Sequence, residues 1–194
     1  PFCKCIFRKG ASYYETVIIL KIDFSHACDY AFLDYSLEKI CSAYLFAQRL
    51  SLGRSLLGRD IPMLKIGHGK KKLLYVGGVH GSEHLSAGLL IRYAADYCAG
   101  VEDGGKMYSL SMKYLFENRT LYIVPMLNPD GVEIAIHGPE ADNPLFDRLM
   151  RMRPADGFAR WQANARGVDL NHNFNAGFEE YKQIEAEKGI GAGF

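Results

Sequence analysis

No apolar run in the 194-residue chain approaches the roughly 20 residues that a membrane-spanning helix needs. Thr16–Leu20 is too short and is followed by Lys21 and Asp23. The N-terminus also lacks the pattern of a signal peptide. Charge of one sign is not in excess: 23 Lys and Arg against 22 Asp and Glu leave a net +1. There is thus no electrostatic reason to expect nucleic acid or an anionic membrane as partner. Cysteine is scarce, odd in number and scattered, at Cys3, Cys5, Cys28, Cys41 and Cys98. No Cys-x-x-Cys pair occurs, which argues against a structural zinc knuckle or a redox motif. Cys41 and Cys98 fall in apolar, helix-like stretches and read as buried thiols. That usage points to a reducing compartment, and a cytoplasmic location is expected. Internal repeats, low-complexity tracts and an interdomain linker are lacking too. So is an initiating Met: the chain begins at Pro1, and the true start is expected to precede it.

What is present is one domain's worth of sequence, 48% hydrophobic and 23% charged. Its centre is residues 73–84, Leu-Leu-Tyr-Val-Gly-Gly-Val-His-Gly-Ser-Glu-His. Leu73–Val76 reads as a strand buried on both faces. Gly77 and Gly78 break the pattern, His80 and Glu83 follow, and an apolar helical segment opens at Leu85. In open α/β sheets such a polar cluster lies beyond the carboxyl end of its strand, where ligands bind. Imidazole and carboxylate are the usual zinc donors of hydrolytic sites. His80, Glu83 and His84 also spell the inverzincin pattern, in which both histidines bind metal from one helical face. Gly77, Gly78 and Gly81 disfavour helix through His80 and rank that reading second.

Around this centre, residues 29–50 are expected to form a helix with a stripe at Leu33, Leu37, Ile40 and Tyr44. A strand is expected over Thr16–Ile22, a loop over Leu52–Leu57 and a strand over Ile61–Ile66. Gly67-His68-Gly69 is a turn, with His68 a turn residue rather than a ligand. Lys70–Lys72, the only basic run, marks a solvated turn. Leu85–Cys98 is a helix stopped near Gly100. A second helix includes Tyr108, Met112 and Leu115. Leu121–Leu127 is a buried strand running into the turn Asn128-Pro129-Asp130-Gly131. A short helix surrounds Leu145, Leu149 and Met152. Gly167–Leu170 reads as a short strand, and Phe178–Lys188 as a polar, solvent-facing helix with Glu179 and Glu180 in its first turn.

Three blocks stand in order: His-Gly-Ser-Glu at 80–83, Asn-Pro-Asp-Gly at 128–131, and Gly-Val-Asp-Leu-Asn-His-Asn-Phe at 167–174. Together they resemble the zinc carboxypeptidase family of the carboxypeptidase A type, from about residue 29 onward. The phrasing is most similar to the bacterial branch that cleaves γ-D-glutamyl-diamino acid bonds in cell-wall peptides. Residues 1–28 are left unassigned, and 29–194 are expected to be an incomplete catalytic domain. The resemblance implies an α/β/α sandwich around a mixed, mostly parallel twisted sheet, truncated at its C-terminus.

It also implies one zinc ion, with His80 and Glu83 as ligands, and a peptide substrate. Asp169 matches the acidic residue that orients the first histidine. Asn171 matches a residue that binds the substrate's terminal carboxylate. The family usually has arginine next, where this chain has His172, so plain carboxypeptidase specificity is not implied. Arg166 matches loosely the residue that polarises the scissile carbonyl, with Arg160 as the alternative. The third ligand, a histidine, and the general-base glutamate are expected beyond Phe194, so this chain alone is expected to be inactive. A non-catalytic peptide-binding domain on the same scaffold is the competing class, because fold does not dictate function.

Overall fold

Asp29 opens the first helix. Its carboxylate accepts a hydrogen bond from the Phe32 backbone N–H at 2.8 Å, satisfying a donor that every helix start leaves free. This helix, α1, spans Tyr30–Ala43, and Leu33, Leu37 and Ile40 are fully buried along one stripe. The computed structural model describes residues 20–107 and 109–189. The strand expected over Thr16–Ile22 therefore lies mostly outside the described residues, and 20–22 form no regular element.

Helix was expected to residue 50, but α1 ends at Ala43 and Tyr44 is extended. The chain then enters β1, Ala47–Arg54, which absorbs half of the expected Leu52–Leu57 loop. Pairing decides the matter: β1 runs antiparallel to β2, Asp60–Ile66, from Ala47 opposite Ile66 to Arg54 opposite Asp60. Ladder bonds to a neighbouring strand outweigh the weak helical bias of Phe46–Leu50. Gly67 ends β2 at φ 94°, and a Cβ there would lie 2.9 Å from the Phe116 carbonyl oxygen, so only glycine fits. His68 lies in the short connection between β2 and β3, its backbone N–H donating to the Phe116 carbonyl at 3.2 Å and its ring edge-on to Phe116.

β3, Lys71–Val76, leads into a short 3-10 turn at Gly81–Glu83 and then into α2, His84–Glu102. The expected stop at Gly100 is overridden: the helix passes through it, and the Asp103 N–H caps Ala99. β4 (Lys106–Met107) and β5 (Leu110–Ser111) make a two-residue ladder. α3, Met112–Asn118, follows with Ser111 as its cap and holds Met112 and Leu115 as expected, while Tyr108 lies outside the described residues. β6, Arg119–Val124, stops three residues short of the expected Leu127. Asn-Pro-Asp-Gly then proves to be a helix start rather than a free turn. Asn128 caps α4, Pro129–His137, and Pro129 occupies the first turn, where its missing N–H costs nothing. α5, Phe146–Arg151, is the short helix expected around Leu149. The strand expected at Gly167–Leu170 is absent: Asn164 and Val168 close a turn instead. α6 spans Phe178–Lys188 as expected. It is not wholly solvent-facing, because Glu185 is buried and held by Lys182 at 2.7 Å.

The described strands form one main sheet in the order β1-β2-β6-β3. The protein is of the α/β class with a mixed sheet. β1/β2 and β2/β6 are antiparallel, and the parallel pairing is β3/β6. Connection length explains both: a hairpin closes β1 to β2, whereas β3 reaches β6 through α2. Leu64 and Ile66 of β2 and Leu121 and Ile123 of β6 meet α1 and α2 in one core. A second cluster gathers Ile134, Leu149, Ala163 and Ala165 about a fully buried Trp161.

β3 corrects a central expectation. It was read as buried on both faces, yet Leu74 is 64% exposed and Leu73, Tyr75 and Val76 are near 40%. It is a sheet edge, bonded to β6 alone among the described residues. One face meets α2 through Tyr75 and Tyr93, whose ring centroids are 5.6 Å apart.

Candidate metal centre

The chain leaves β3 through Gly77 and Gly78, which are stitched to the strand exit beside them. Gly77 N–H donates to the Val124 carbonyl, and the carbonyls of Gly77 and Gly78 accept from Leu127 and Asn128. Gly78 has φ 54°, a left-handed conformation that glycine adopts without strain. The turn carries His80 past the end of the sheet in extended backbone, φ −95° and ψ 147°. The 3-10 turn then brings Glu83 back toward it. His80 Nδ1 and Glu83 Oε1 lie 2.7 Å apart, and the His80 backbone N–H donates to Glu83 Oε2 at 3.3 Å.

His84 is the first residue of α2, while His80 is extended. The two histidines share no continuous helical face, so the inverzincin arrangement is not formed. The glycines decide this, by breaking helix before Ser82.

Asp169 comes to the same place from the far end of the described chain. Its side chain is 5% exposed, and its two oxygens serve different partners. Oδ1 accepts from the backbone N–H groups of Asn171 and His172, at 2.9 and 3.2 Å, and stands 3.5 Å from His80 Nε2. At that separation Nε2 remains buried without a hydrogen-bond partner. Oδ2 meets His172 Nδ1 at 2.9 Å. A carboxylate only accepts, so Nδ1 of His172 carries the proton. The other face of that imidazole lies on Tyr181, nearly parallel at 17° and 5.2 Å between centroids. His80 and His172 are 6.5 Å apart between ring centroids. A cavity of about 340 Å³ opens beside them, lined by Asn171, His172, Phe174, Phe178, Tyr181 and Ile184.

The structure therefore brings His80, Glu83, Asp169 and His172 together from two distant motifs, with Asn171 attached through its backbone. It does not bring Arg166 into the group: that side chain is exposed and makes no hydrogen bond or ion pair among the described residues. Arg160 is engaged by Asp156 through its Nε at 2.8 Å. Tyr181 behind His172 carried no sequence signal, because nothing in a polar helix announces which face meets a loop.

The chemistry of the donor set suits zinc. An imidazole nitrogen and a carboxylate oxygen 2.7 Å apart can address a single ion, since zinc takes each such donor at about 2.0–2.2 Å. A second grouping, Asp29, Glu133 and His137, also gathers donor atoms within 4.8 Å. Each of its carboxylates gives one oxygen to the start of α1, Asp29 Oδ1 accepting from Phe32 and Glu133 Oε1 from Tyr30, while Asp29 Oδ2 lies 3.2 Å from His137 Nε2. The larger cavity, about 530 Å³, runs along α4 past Arg59, Asp130, Glu133 and Glu140 and is lined by none of His80, Glu83, Asp169 and His172.

Residues 37–189 match the zinc carboxypeptidase family, and the chain belongs to it. Among its relatives is γ-D-glutamyl-L-diamino acid endopeptidase 1 of Lysinibacillus sphaericus, 35% identical over 152 residues, which are 78% of this chain and 38% of that protein. The human carboxypeptidase N catalytic chain is 29% identical over 132 residues, 64% of this chain and 25% of its own length. A metallo-carboxypeptidase from Burkholderia cenocepacia shares the fold at 18% identity and TM-score 0.54, over 83% of this chain and 38% of the other. Thrombin-activatable fibrinolysis inhibitor does so at 19% identity and TM-score 0.56, over 80% and 38%. The chain thus spans about two fifths or less of the length of these proteins.

Proposed function

We propose that His80 and Glu83 supply two of the ligands of a catalytic zinc in a metallopeptidase. We further propose that its substrates are peptides with a γ-D-glutamyl-diamino acid bond, as in cell-wall muropeptides. The observation that carries the reading is the convergence of His80 Nδ1 on Glu83 beyond the end of β3, with Asp169 facing the opposite ring nitrogen.

Bound zinc would act as Lewis acid and lower the pKa of a coordinated water. The chain's own groups do the positioning. In the metal-free chain the proton between His80 and Glu83 rests on Nδ1, because the carboxylate only accepts. Ligation through Nδ1 would need its lone pair, and the ring proton would then sit on Nε2, facing Asp169. Asp169 would thereby favour the ligating tautomer. Its other oxygen holds His172 against Tyr181 and leaves Nε2 as the free nitrogen of that ring.

The substrate half of the proposal rests on His172 and on the relative from Lysinibacillus sphaericus. A guanidinium grips a carboxylate with two parallel N–H bonds, and an imidazole offers one point of contact. A terminal group other than a simple α-carboxylate fits that loss. Asn171 is the companion contact at the mouth of the cavity. Arg166 is the proposed group for polarising the carbonyl.

Zinc titration by calorimetry tests the metal half. Weak binding is expected, because catalytic sites ordinarily supply three protein ligands. It should vanish in His80→Ala and in Glu83→Ala, and binding unchanged in both overturns the assignment. Affinity of the zinc-loaded chain for a γ-D-glutamyl-diaminopimelate peptide against an ordinary C-terminal peptide tests the substrate half. Equal or reversed preference sinks it. Robust turnover by this chain would mean that a residue within it completes the site.

A further inference from the structure

We infer that Asp130 is a positioning residue for the His80 loop: it grips the β1–β2 hairpin and so fixes the turn of α4 on which Gly81 rests. Asp130 is almost fully buried, with 2% of its side chain exposed. Its Oδ1 accepts from Ser55 Oγ at 2.8 Å and from Arg59 Nη1 at 2.9 Å. Its Oδ2 accepts from the Leu57 backbone N–H at 3.0 Å. All three donors belong to the loop between β1 and β2. That loop does not need Asp130 to close, because Ser55 N–H already donates to the Arg59 carbonyl at 2.8 Å and Gly58 N–H to Ser55. A buried carboxylate is costly unless its lone pairs are filled, and here they are filled by a segment about 70 residues away in sequence. Arg59 balances further carboxylates, with Glu133 at 3.9 Å and Glu140 at 4.0 Å.

The residue after Asp130 bears on the metal centre. A Cβ on Gly81 would lie 2.6 Å from the Gly131 carbonyl carbon and 2.6 Å from the Trp161 carbonyl oxygen. Two backbones therefore touch with no side chain between them, and a shift in one must move the other. Asn128 ties the same turn to the segment after Trp161, accepting from Gly131 N–H at 3.0 Å and donating to the Ala163 carbonyl at 3.1 Å. Gly81 N–H donates to the Gln162 carbonyl at 3.1 Å. The first turn of α4 is thus pressed by the hairpin on one side and by the His80 loop on the other. His80 precedes Gly81 directly, and Glu83 follows two residues later. The consequence for zinc rests on the proposed metal-binding role of that pair.

Hydrogen exchange of the metal-free chain, followed by NMR, tests the coupling without any metal. In Asp130→Asn, protection of the Leu57 and Gly81 amides should fall by about tenfold or more relative to Leu37 in α1. Ser55→Ala, a milder change that keeps the carboxylate, should move both in the same direction by less, and it decides the matter if Asp130→Asn does not fold. Loss at Leu57 with Gly81 unchanged overturns the inference, and so does an equal loss at all three amides, which is global destabilisation. Zinc affinity of the same variants should then fall in step with Gly81 protection, and full affinity beside a loosened Gly81 also overturns it. An unaltered chain that binds no zinc refutes the proposed function instead, and leaves the Gly81 amide to judge Asp130.

Discussion

Asp169 is the residue on which two motifs meet, and it shows how a single carboxylate is divided. One oxygen faces His80 Nε2 and two backbone amides, and the other holds His172. Asp169→Asn keeps the shape but turns one acceptor into a donor, so one imidazole must lose its orientation. Metal affinity should drop about 10- to 100-fold, as for other groups that orient a ligating histidine. Calorimetric titration of the variant against the unaltered chain checks this, and equal affinities would remove Asp169 from the site. The types and order of His80, Glu83, Asp169 and His172 were legible in the sequence because each motif is short and local. That Asp169 reaches His172 more closely than His80 was not legible, since it depends on the turn closed between Asn164 and Val168.

Elements end where neighbours decide. α1 was readable from Asp29 and its apolar stripe, but its C-terminus was not, because β2 claims the following residues as a strand partner. α2 shows the same logic at Gly100, where the helix continues into contact with Met112. The buried face of α2 carries Tyr93, Tyr97 and Cys98. Burial pushes each of these groups up to about 12, from ordinary values of 10.0 for the tyrosines and 9.0 for the thiol. The folded chain therefore holds these protons more tightly than the unfolded chain. Their contribution to stability is fully present below pH 9.0 and is lost as pH rises from there toward about 12. Urea midpoints measured across that window should decline steadily. In Cys98→Ala the early part of the decline should be shallower but not absent, because burial also raises the Cys28 and Cys41 thiols. A flat profile would mean that α2 is not packed as described.

The molecule as a whole presents an apolar sheet edge. Leu73, Leu74, Tyr75 and Val76 are all exposed on β3, whose outer hydrogen-bonding groups face no strand among the described residues. Such an edge is a template for another strand. The isolated chain should self-associate as its concentration rises, and Leu74→Lys should reduce this by placing a charge beside the edge. Sedimentation velocity over a concentration series measures both, and a chain that stays monomeric throughout would count against an open β3. The same edge explains why burial was misjudged. An apolar run reports what a strand prefers, and whether anything covers it depends on which segments arrive beside it.

By itself, the sequence determined the helix start at Asp29, the α/β class and the donor types at His80 and Glu83. Each of these rests on contacts between residues a few positions apart. Tertiary structure alone decided where α1 stops, that β3 is an edge, that Asp169 stands between two histidines, and that Asp130 answers to Ser55 and Arg59. Those outcomes are set by partners tens of residues away, and no local pattern encodes which partner a buried carboxylate or an open strand will meet.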